Sequence, residues 1–280
     1  MNALEIRNLT KHYPDFSLDH LCLTLPGGCV LGLVGENGAG KSTTIRLILG
    51  MLRPDGGTVT ILGKDNREGL ELTKQDIGVV LDEVGIPGCL TPIQVGKIMA
   101  HTYTNWDPAA YNGFLTRFSL PERKRFQDFS RGMKMKLGLA VALSHHAKLL
   151  ILDEATSGLD PVVRDEVVEL LMDFARQDDN AVLISSHIVS DLEKLCDYVA
   201  FLRKGKLMLF EEKDYLLGEY GLLHCTASQL EAIPQTAILH KKVTPYSAEA
   251  LVKRSALPAG VQVSPIGMED LFIYMSKEAN

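Results

Sequence analysis

The chain lacks an apolar run long enough to cross a bilayer. Among its 280 residues the longest stretch without Asp, Glu, Lys or Arg is His20–Gly35, 16 residues interrupted by Pro26-Gly27-Gly28. A spanning helix needs about 20 apolar residues. The chain also lacks an apolar leader: its start, MNALEIRNLTKHY, is charged, so no secretory signal is expected. There is no basic surplus. Lys and Arg total 29 against 35 Asp and Glu, a net charge of −6, so no nucleic-acid partner is expected, because such binding draws on a basic surface. CxxC spacing is missing as well. The five cysteines, Cys22, Cys29, Cys89, Cys196 and Cys225, read as reduced thiols in a cytoplasmic core rather than a disulfide frame or a metal site. Internal repeats and low-complexity segments are absent. What is present, 46% hydrophobic and 23% charged residues, is the balance of a soluble globular protein and excludes collagen-like and disordered chains. The length allows one large domain, or one of about 200 residues with a small companion.

Hydrophobic periodicity predicts mostly strands over the first 63 residues. Ala3–Leu9 alternates, as a half-buried strand does. Phe16–Leu18 and Leu21–Leu25 look similar, Cys29–Val34 suits a strand buried on both faces, and Thr58–Leu62 is a further strand. A glycine-rich loop separates Val34 from a helical pattern over Lys41–Leu49. From about Glu83 to Leu143 the pattern is mostly helical. Leu149–Leu152 and Val182–Ser185 are short apolar strands, with helical patterns over Val162–Arg176 and Ile188–Cys196. Alternating strands and helices indicate a parallel α/β sheet. After about Tyr215 the character changes. Strands are expected at Leu222–Thr226, Ala237–Lys242 and Val261–Ser264, and helices at Ser228–Ala232, Ser247–Ser255 and Met268–Lys277. This suggests a small αβ extension over residues 216–280, behind a main domain of residues 1–215.

Two local motifs carry chemistry. Gly35-Glu36-Asn37-Gly38-Ala39-Gly40-Lys41-Ser42 fits G-x-x-x-x-G-K-[ST], the phosphate loop. Its glycines let backbone N–H groups wrap a phosphate chain, and the following helix aims its positive end at the same anion. Lys41 can reach the β- and γ-phosphates, and the Ser42 hydroxyl can ligate Mg²⁺. Thr43 follows in the first helical turn and belongs to the same ATP-binding set. The second motif is Leu149-Leu150-Ile151-Leu152-Asp153-Glu154, an apolar strand ending in two carboxylates. At the end of a parallel strand they face the nucleotide crevice. Asp153 is the candidate for holding Mg²⁺, and Glu154 for orienting and activating the attacking water.

These two motifs leave several P-loop families open. Phe129-Ser130-Arg131-Gly132-Met133, 23 residues before Asp153, narrows them, as do Ser157-Gly158-Leu159-Asp160 and Ser186-His187. In that order and spacing they resemble the signature motif, D-loop and switch histidine of ABC-type ATP-binding subunits, over about residues 1–215. The resemblance implies a P-loop NTPase of ABC type, α/β, with an antiparallel β subdomain, a helical subdomain at about 83–143 and the small αβ extension. It implies that ATP and Mg²⁺ are bound and that ATP is hydrolysed with Lys41, Glu154 and His187 at the reacting phosphate. Tyr13 falls where the family stacks an aromatic ring on adenine, which a flat apolar face permits. Ser130, Gly132 and Asp160 would act in trans, on nucleotide held by a second subunit. The partners implied are that second ATP-binding subunit, as homodimer or heterodimer, and a multi-spanning membrane permease. The location implied is cytoplasmic, peripheral on the inner face of the cell membrane.

The sequence departs from the family pattern at two places. The usual signature is LSGGQ; here Phe129, Arg131 and Met133 replace three of its residues. Arg131 is expected to point to solvent, the alternative being positive charge added near the nucleotide. Similar Ser-Lys/Arg-Gly-Met variants occur among bacterial ABC-2-type exporters, so export is the direction implied. The Q-loop glutamine falls on Asp82, whose carboxylate could approach Mg²⁺ or water, and Glu83 could serve instead. Val84, Ile86, Pro87, Leu90 and Ile93 either line a groove for the membrane partner or belong to the core. The basic stretch Arg117–Arg131 reads as a solvated surface. Two rival readings are an ABC ATPase without a transporter and a nucleotide-binding regulatory subunit.

Overall fold

The computed structural model describes all residues except 69–73, 178–179, 245 and 277–280. The described residues form two compact units, Met1–Phe210 and Glu211–Asn280. In the first, β1 (Asn2–Tyr13), β2 (Phe16–Pro26), β4 (Gly56–Ile61) and β5 (Lys64–Asp65) make a sheet in the order β2-β1-β4-β5, antiparallel throughout. The two strands expected between residues 16 and 25 are one strand. His20 enters the left-handed region (φ 47°) within it, and the β1–β2 register shifts nearby. That local irregularity interrupts the alternation, so the sequence reads as two pieces.

The second sheet has the order β10-β9-β3-β8-β7-β6. Its strands are β3 (Val30–Val34), β6 (Ile77–Val80), β7 (Leu149–Asp153), β8 (Ala181–Ser186), β9 (Tyr198–Arg203) and β10 (Lys206–Glu212). The pairs β3–β8, β3–β9, β6–β7 and β7–β8 are all parallel. Every residue of β3, β7 and β8 is buried, which is why these strands read as unbroken apolar runs. Leu31, Leu33, Leu149, Ile151 and Leu183 share one core with Leu47 and Ile48 of α1 (Lys41–Ile48). Each such side chain contributes roughly 1.5–3 kcal/mol relative to exposure. The α1 C-terminus is closed by buried Asn66, whose Nδ2 donates to the carbonyls of Leu47 (2.9 Å) and Ile48 (3.0 Å). Strands β6, β9 and β10 are additions to those the sequence pattern predicts.

β9 and β10 form a hairpin through Lys204 (φ 47°) and Gly205 (φ 78°), the two-residue turn that matches strand twist. Its tip is wedged. The Gly205 N–H donates to the Ala39 carbonyl (2.9 Å), and a Cβ on Gly205 would sit 1.8 Å from the Ser17 carbonyl oxygen.

The helical segment holds Pro92–Thr102, Pro108–Arg117 and Arg131–Leu143. Thr91 and Gln94 form a capping box at its start, and Asp107 caps the next helix through the N–H groups of Ala109 and Ala110. Arg123, Lys124 and Arg125 are exposed. Fully buried His145 pins the segment to the sheet: Nδ1 lies 3.1 Å from the Val141 carbonyl and Nε2 3.2 Å from that of Ile77. Tyr103 stacks on the imidazole at 4.0 Å.

Burial lowers the His145 pKa, and neighbouring His146 lowers it further; the two carbonyls and Asp76 pull the other way without prevailing. The folded state therefore holds His145 neutral where the unfolded chain, near the ordinary value of about 6.5, is taking up its proton. Unfolding binds protons in that window, so stability is lost as pH falls below about 6.5. In urea titrations the midpoint of the parent chain should fall more steeply from pH 7 to pH 5.5 than that of His145→Asn, which has no proton to gain.

The second unit is a three-stranded sheet, β11 (Tyr220–Cys225), β13 (Ala248–Lys253) and β12 (Ile238–Val243), in the order β11-β13-β12 and antiparallel. Its core includes Leu223, Leu230, Ile233, Ala250 and Val252. Two expectations are corrected here. Ser247–Ser255 is not a helix: β13 is the central strand, and burial between two neighbours overrides the helix-favouring Ala-Glu-Ala-Leu composition. Val261–Ser264 is not a strand and makes a single antiparallel bridge, Leu222 to Ser264. The Arg254 guanidinium takes the Val263 and Ser264 carbonyls, and Pro265 has no N–H to continue a ladder. The last helix is Met268–Ser276; Lys277 lies outside the described residues. The five cysteines are free thiols; only Cys196 is buried, while Cys22 and Cys89 are exposed, against the expectation of a core position. No helix among the described residues is long and apolar enough to cross a membrane.

Candidate active site

β3 ends at Val34, and residues 35–40 turn into α1. The turn needs glycine at its first position: a Cβ on Gly35 would lie 2.4 Å from the Leu202 carbonyl oxygen. Gly40 adopts φ 110°, and a Cβ there would meet the Phe16 ring at 2.9 Å. The Ala39 N–H closes the turn on the Glu36 carbonyl (3.0 Å). Glu36, Asn37 and Gly38 are exposed, Ala39 and Gly40 are buried, and Ser42 and Thr43 are half-buried. Tyr13 stands at the end of β1 beside the same loop. The residue is 40% exposed; its ring lies 6.3 Å from that of Phe16, with Lys11 Nζ over it at 5.8 Å.

Three predicted residues are joined directly. Buried Lys41 points its amine at the Gly35 carbonyl (2.6 Å), the Glu36 carbonyl (3.3 Å) and Glu154 Oε1 (3.2 Å). Glu154 Oε2 lies 2.7 Å from His187 Nδ1. A chain Lys41–Glu154–His187 thus links the ends of β3, β7 and β8, which are adjacent and parallel. His187 is 44% exposed, so the line runs from a buried amine to an accessible imidazole. Asp153, 4% exposed, accepts from the Ser185 hydroxyl at 2.6 Å. Glu154 takes a left-handed backbone (φ 54°). Its N–H donates to both the carbonyl (3.1 Å) and the hydroxyl (3.1 Å) of Ser185.

The remaining predicted residues sit elsewhere. Ser130 caps Arg131–Leu143 by accepting from the Met133 N–H (3.3 Å), and half-buried Gly132 follows in its first turn. Asp160 caps Pro161–Ala175 by accepting from the Val163 N–H (3.1 Å). The two capped helices are braced by Lys136 and Glu166 at 2.7 Å. Among the described residues, none of Ser130, Gly132 and Asp160 is hydrogen-bonded to the Lys41–Glu154–His187 chain.

Arg131 is exposed, as expected of it. Its guanidinium also pairs at the surface: Nη2 bonds Asp82 Oδ1 at 2.6 Å, and Nη1 lies 3.0 Å from where a Cβ on Gly158 would be. The two departures from the family pattern thus meet each other. A groove beside them is lined by Asp82, Glu83, Val84, Phe126, Arg131 and Lys134. Ile86, Leu90 and Ile93 are half-buried and Pro87 is exposed.

A phosphate loop opening a helix, beside carboxylates and a histidine at the ends of adjacent parallel strands, defines a P-loop nucleoside triphosphatase. Residues 18–157 match the family described as ABC transporter. The bacitracin transport ATP-binding protein BcrA of Bacillus licheniformis is 36% identical, over 73% of this chain and 68% of its own. The Nod factor export ATP-binding protein I of Rhizobium meliloti is 35% identical, over 73% and 62%. A solved ATP-binding subunit of an ABC transporter superposes with a TM-score of 0.69 at 27% identity, over 76% of this chain and 90% of that one. The chain belongs to the ABC transporter family, as an ATP-binding and ATP-hydrolysing subunit.

Proposed function

We propose that this chain is the ATP-driven engine of a bacterial exporter, acting as one of two ATP-binding subunits on a separate multi-spanning permease. The observation that carries the reading is the Lys41–Glu154–His187 chain beside buried Asp153, at the mouth of the phosphate loop. Relatives named for bacitracin transport and Nod factor export support the direction. The reading places the chain on the inner face of the cell membrane, held there by the permease, with the groove at Asp82–Val84 and Phe126 as its contact.

In this reading Tyr13 stacks on adenine and the loop N–H groups take the phosphates. Lys41 exchanges the loop carbonyls for the β- and γ-phosphate oxygens. Glu154 then orients the attacking water and accepts its proton, while His187 holds the carboxylate in line through Oε2. The donor set at Ser42 and Asp153, a hydroxyl and a buried carboxylate, fits Mg²⁺. No cluster of three His, Cys, Asp or Glu among the described residues could hold a metal alone, which suits an ion that arrives with nucleotide and keeps water ligands. When bound, the ion supplies charge neutralisation on the phosphates. Asp82 could join the metal side only after leaving Arg131. Ser130, Gly132 and Asp160 complete the site of the other subunit, the helix start at Ser130 facing its γ-phosphate.

Mixing tests the composite site. Lys41→Ala and Ser130→Arg chains are each expected to be inactive alone. In a mixed pair, one site combines both defects and the other has neither. Equal mixing therefore restores roughly a quarter of the parent turnover if pairing is symmetric and statistical. Mixtures as inactive as their components would remove the in-trans homodimer.

A further inference from the structure

Strand β8 runs Ala181-Val182-Leu183-Ile184-Ser185-Ser186, and all six residues are buried. A hydroxyl in such a strand needs partners, because an unpaired buried polar group is costly. Ser185 is fully buried, and its partners lie across the ladder, where it is in register with Asp153 of β7. The hydroxyl donates its proton to Asp153 Oδ1 at 2.6 Å and accepts the Glu154 N–H at 3.1 Å. One atom group thus touches both carboxylate residues at the strand end. Glu154 is one of few non-glycine residues with positive φ, a conformation that persists only where its surroundings hold it. Asp153 is 4% exposed, so bulk water is a poor substitute for a missing donor.

We infer that Ser185 is a positioning residue of the ATPase site: its hydroxyl clamps the Asp153 carboxylate and the Glu154 backbone into one unit. With Oδ1 held by Ser185, Oδ2 is the oxygen left for the metal side. The Glu154 side chain leaves the strand at the angle that meets Lys41 and His187. The inference rests on the reading of Asp153 as metal-side and Glu154 as water-side carboxylate.

The test compares Ser185→Ala and Ser185→Thr, with Asp153→Asn as reference. Turnover is measured against ATP and against Mg²⁺. Independently, binding of a fluorescent ATP analogue to the same chains is measured in EDTA and across a Mg²⁺ titration, and thermal midpoints are recorded. For Ser185→Ala the expected result is roughly a 10-fold fall in kcat and roughly a 10-fold rise in half-saturating Mg²⁺, the size of one lost charge-assisted bond. The KM for ATP and binding in EDTA should change less than about twofold, since the phosphate loop is untouched. Ser185→Thr, which keeps the donor, should recover most of both losses. If the alanine chain does not fold, Ser185→Cys keeps the size and weakens the donor, and carries the same comparison. Parent-like Mg²⁺ dependence in Ser185→Ala, or losses that follow only the thermal midpoint and are not rescued by threonine, would overturn the inference. If Asp153→Asn also leaves the Mg²⁺ dependence unchanged, the underlying assignment of Asp153 fails; if it shifts while Ser185→Ala does not, only the clamp fails.

Discussion

Glu154→Gln should lower steady-state ATP turnover by about two to four orders of magnitude, the usual contribution of a positioned general base, while ATP still binds. Glutamine keeps the length of the side chain and loses its proton-accepting charge. In the ligand-free chain it also loses the ion pair with Lys41 Nζ at 3.2 Å, which frees the amine for phosphate. Binding is therefore retained or tightened as hydrolysis stops. The consequence is visible in mass: with ATP and Mg²⁺ the variant should run at twice the 30.8 kDa of one chain, and without nucleotide at the single mass. A variant that binds ATP and stays at 30.8 kDa would mean that closure requires a different ATP-binding subunit or the permease. A variant with parent-like turnover would remove Glu154 from the water side altogether.

Lys41→Ala should raise the dissociation constant for ATP by about 100-fold and take turnover below detection. The ammonium group has three N–H donors, and the structure aims them at the Gly35 carbonyl, the Glu36 carbonyl and Glu154. Lysine at this position exchanges those acceptors for phosphate oxygens. Charge-assisted bonds of that kind contribute about 1.5–3 kcal/mol each in net terms, so losing them outweighs the release of Glu154. The loss should be selective. Affinity for AMP, which has no β- or γ-phosphate, should change little, and comparing ATP and AMP titrations separates a phosphate contact from a folding defect. Equal losses for both nucleotides would point to damage in the loop itself.

The parts of the site legible in the sequence are those whose geometry is local. A phosphate loop is eight consecutive residues between a strand and a helix, and Asp153-Glu154 closes an apolar strand; Lys41, Glu154 and His187 from these and the next strand end are in direct contact. What was illegible depends on contacts between distant positions. Ser185 reaches Asp153 across 32 residues, and Arg131 reaches Asp82 across 49; no spacing rule connects either pair. Asp82 and Arg131 were each visible as departures, and only folding showed that one answers the other. The fold shows the same division. Fully buried β3, β7 and β8 announce themselves as apolar runs. The segment Ala248–Lys253 has helix-forming residues and becomes a strand because two neighbours flank it.

The hairpin tip at Gly205 bears on the thermodynamics of nucleotide capture. Its N–H holds the Ala39 carbonyl, while its backbone is pressed against Ser17 of the other sheet. Together with the Leu202 carbonyl packed on Gly35, this means that the phosphate loop is shaped by strands far from it in sequence. Its conformational entropy is surrendered when the two sheets fold, not when a ligand arrives. Binding to such a preorganised loop carries little ordering cost, so affinity for nucleotide and the integrity of the β9–β10 hairpin are thermodynamically coupled.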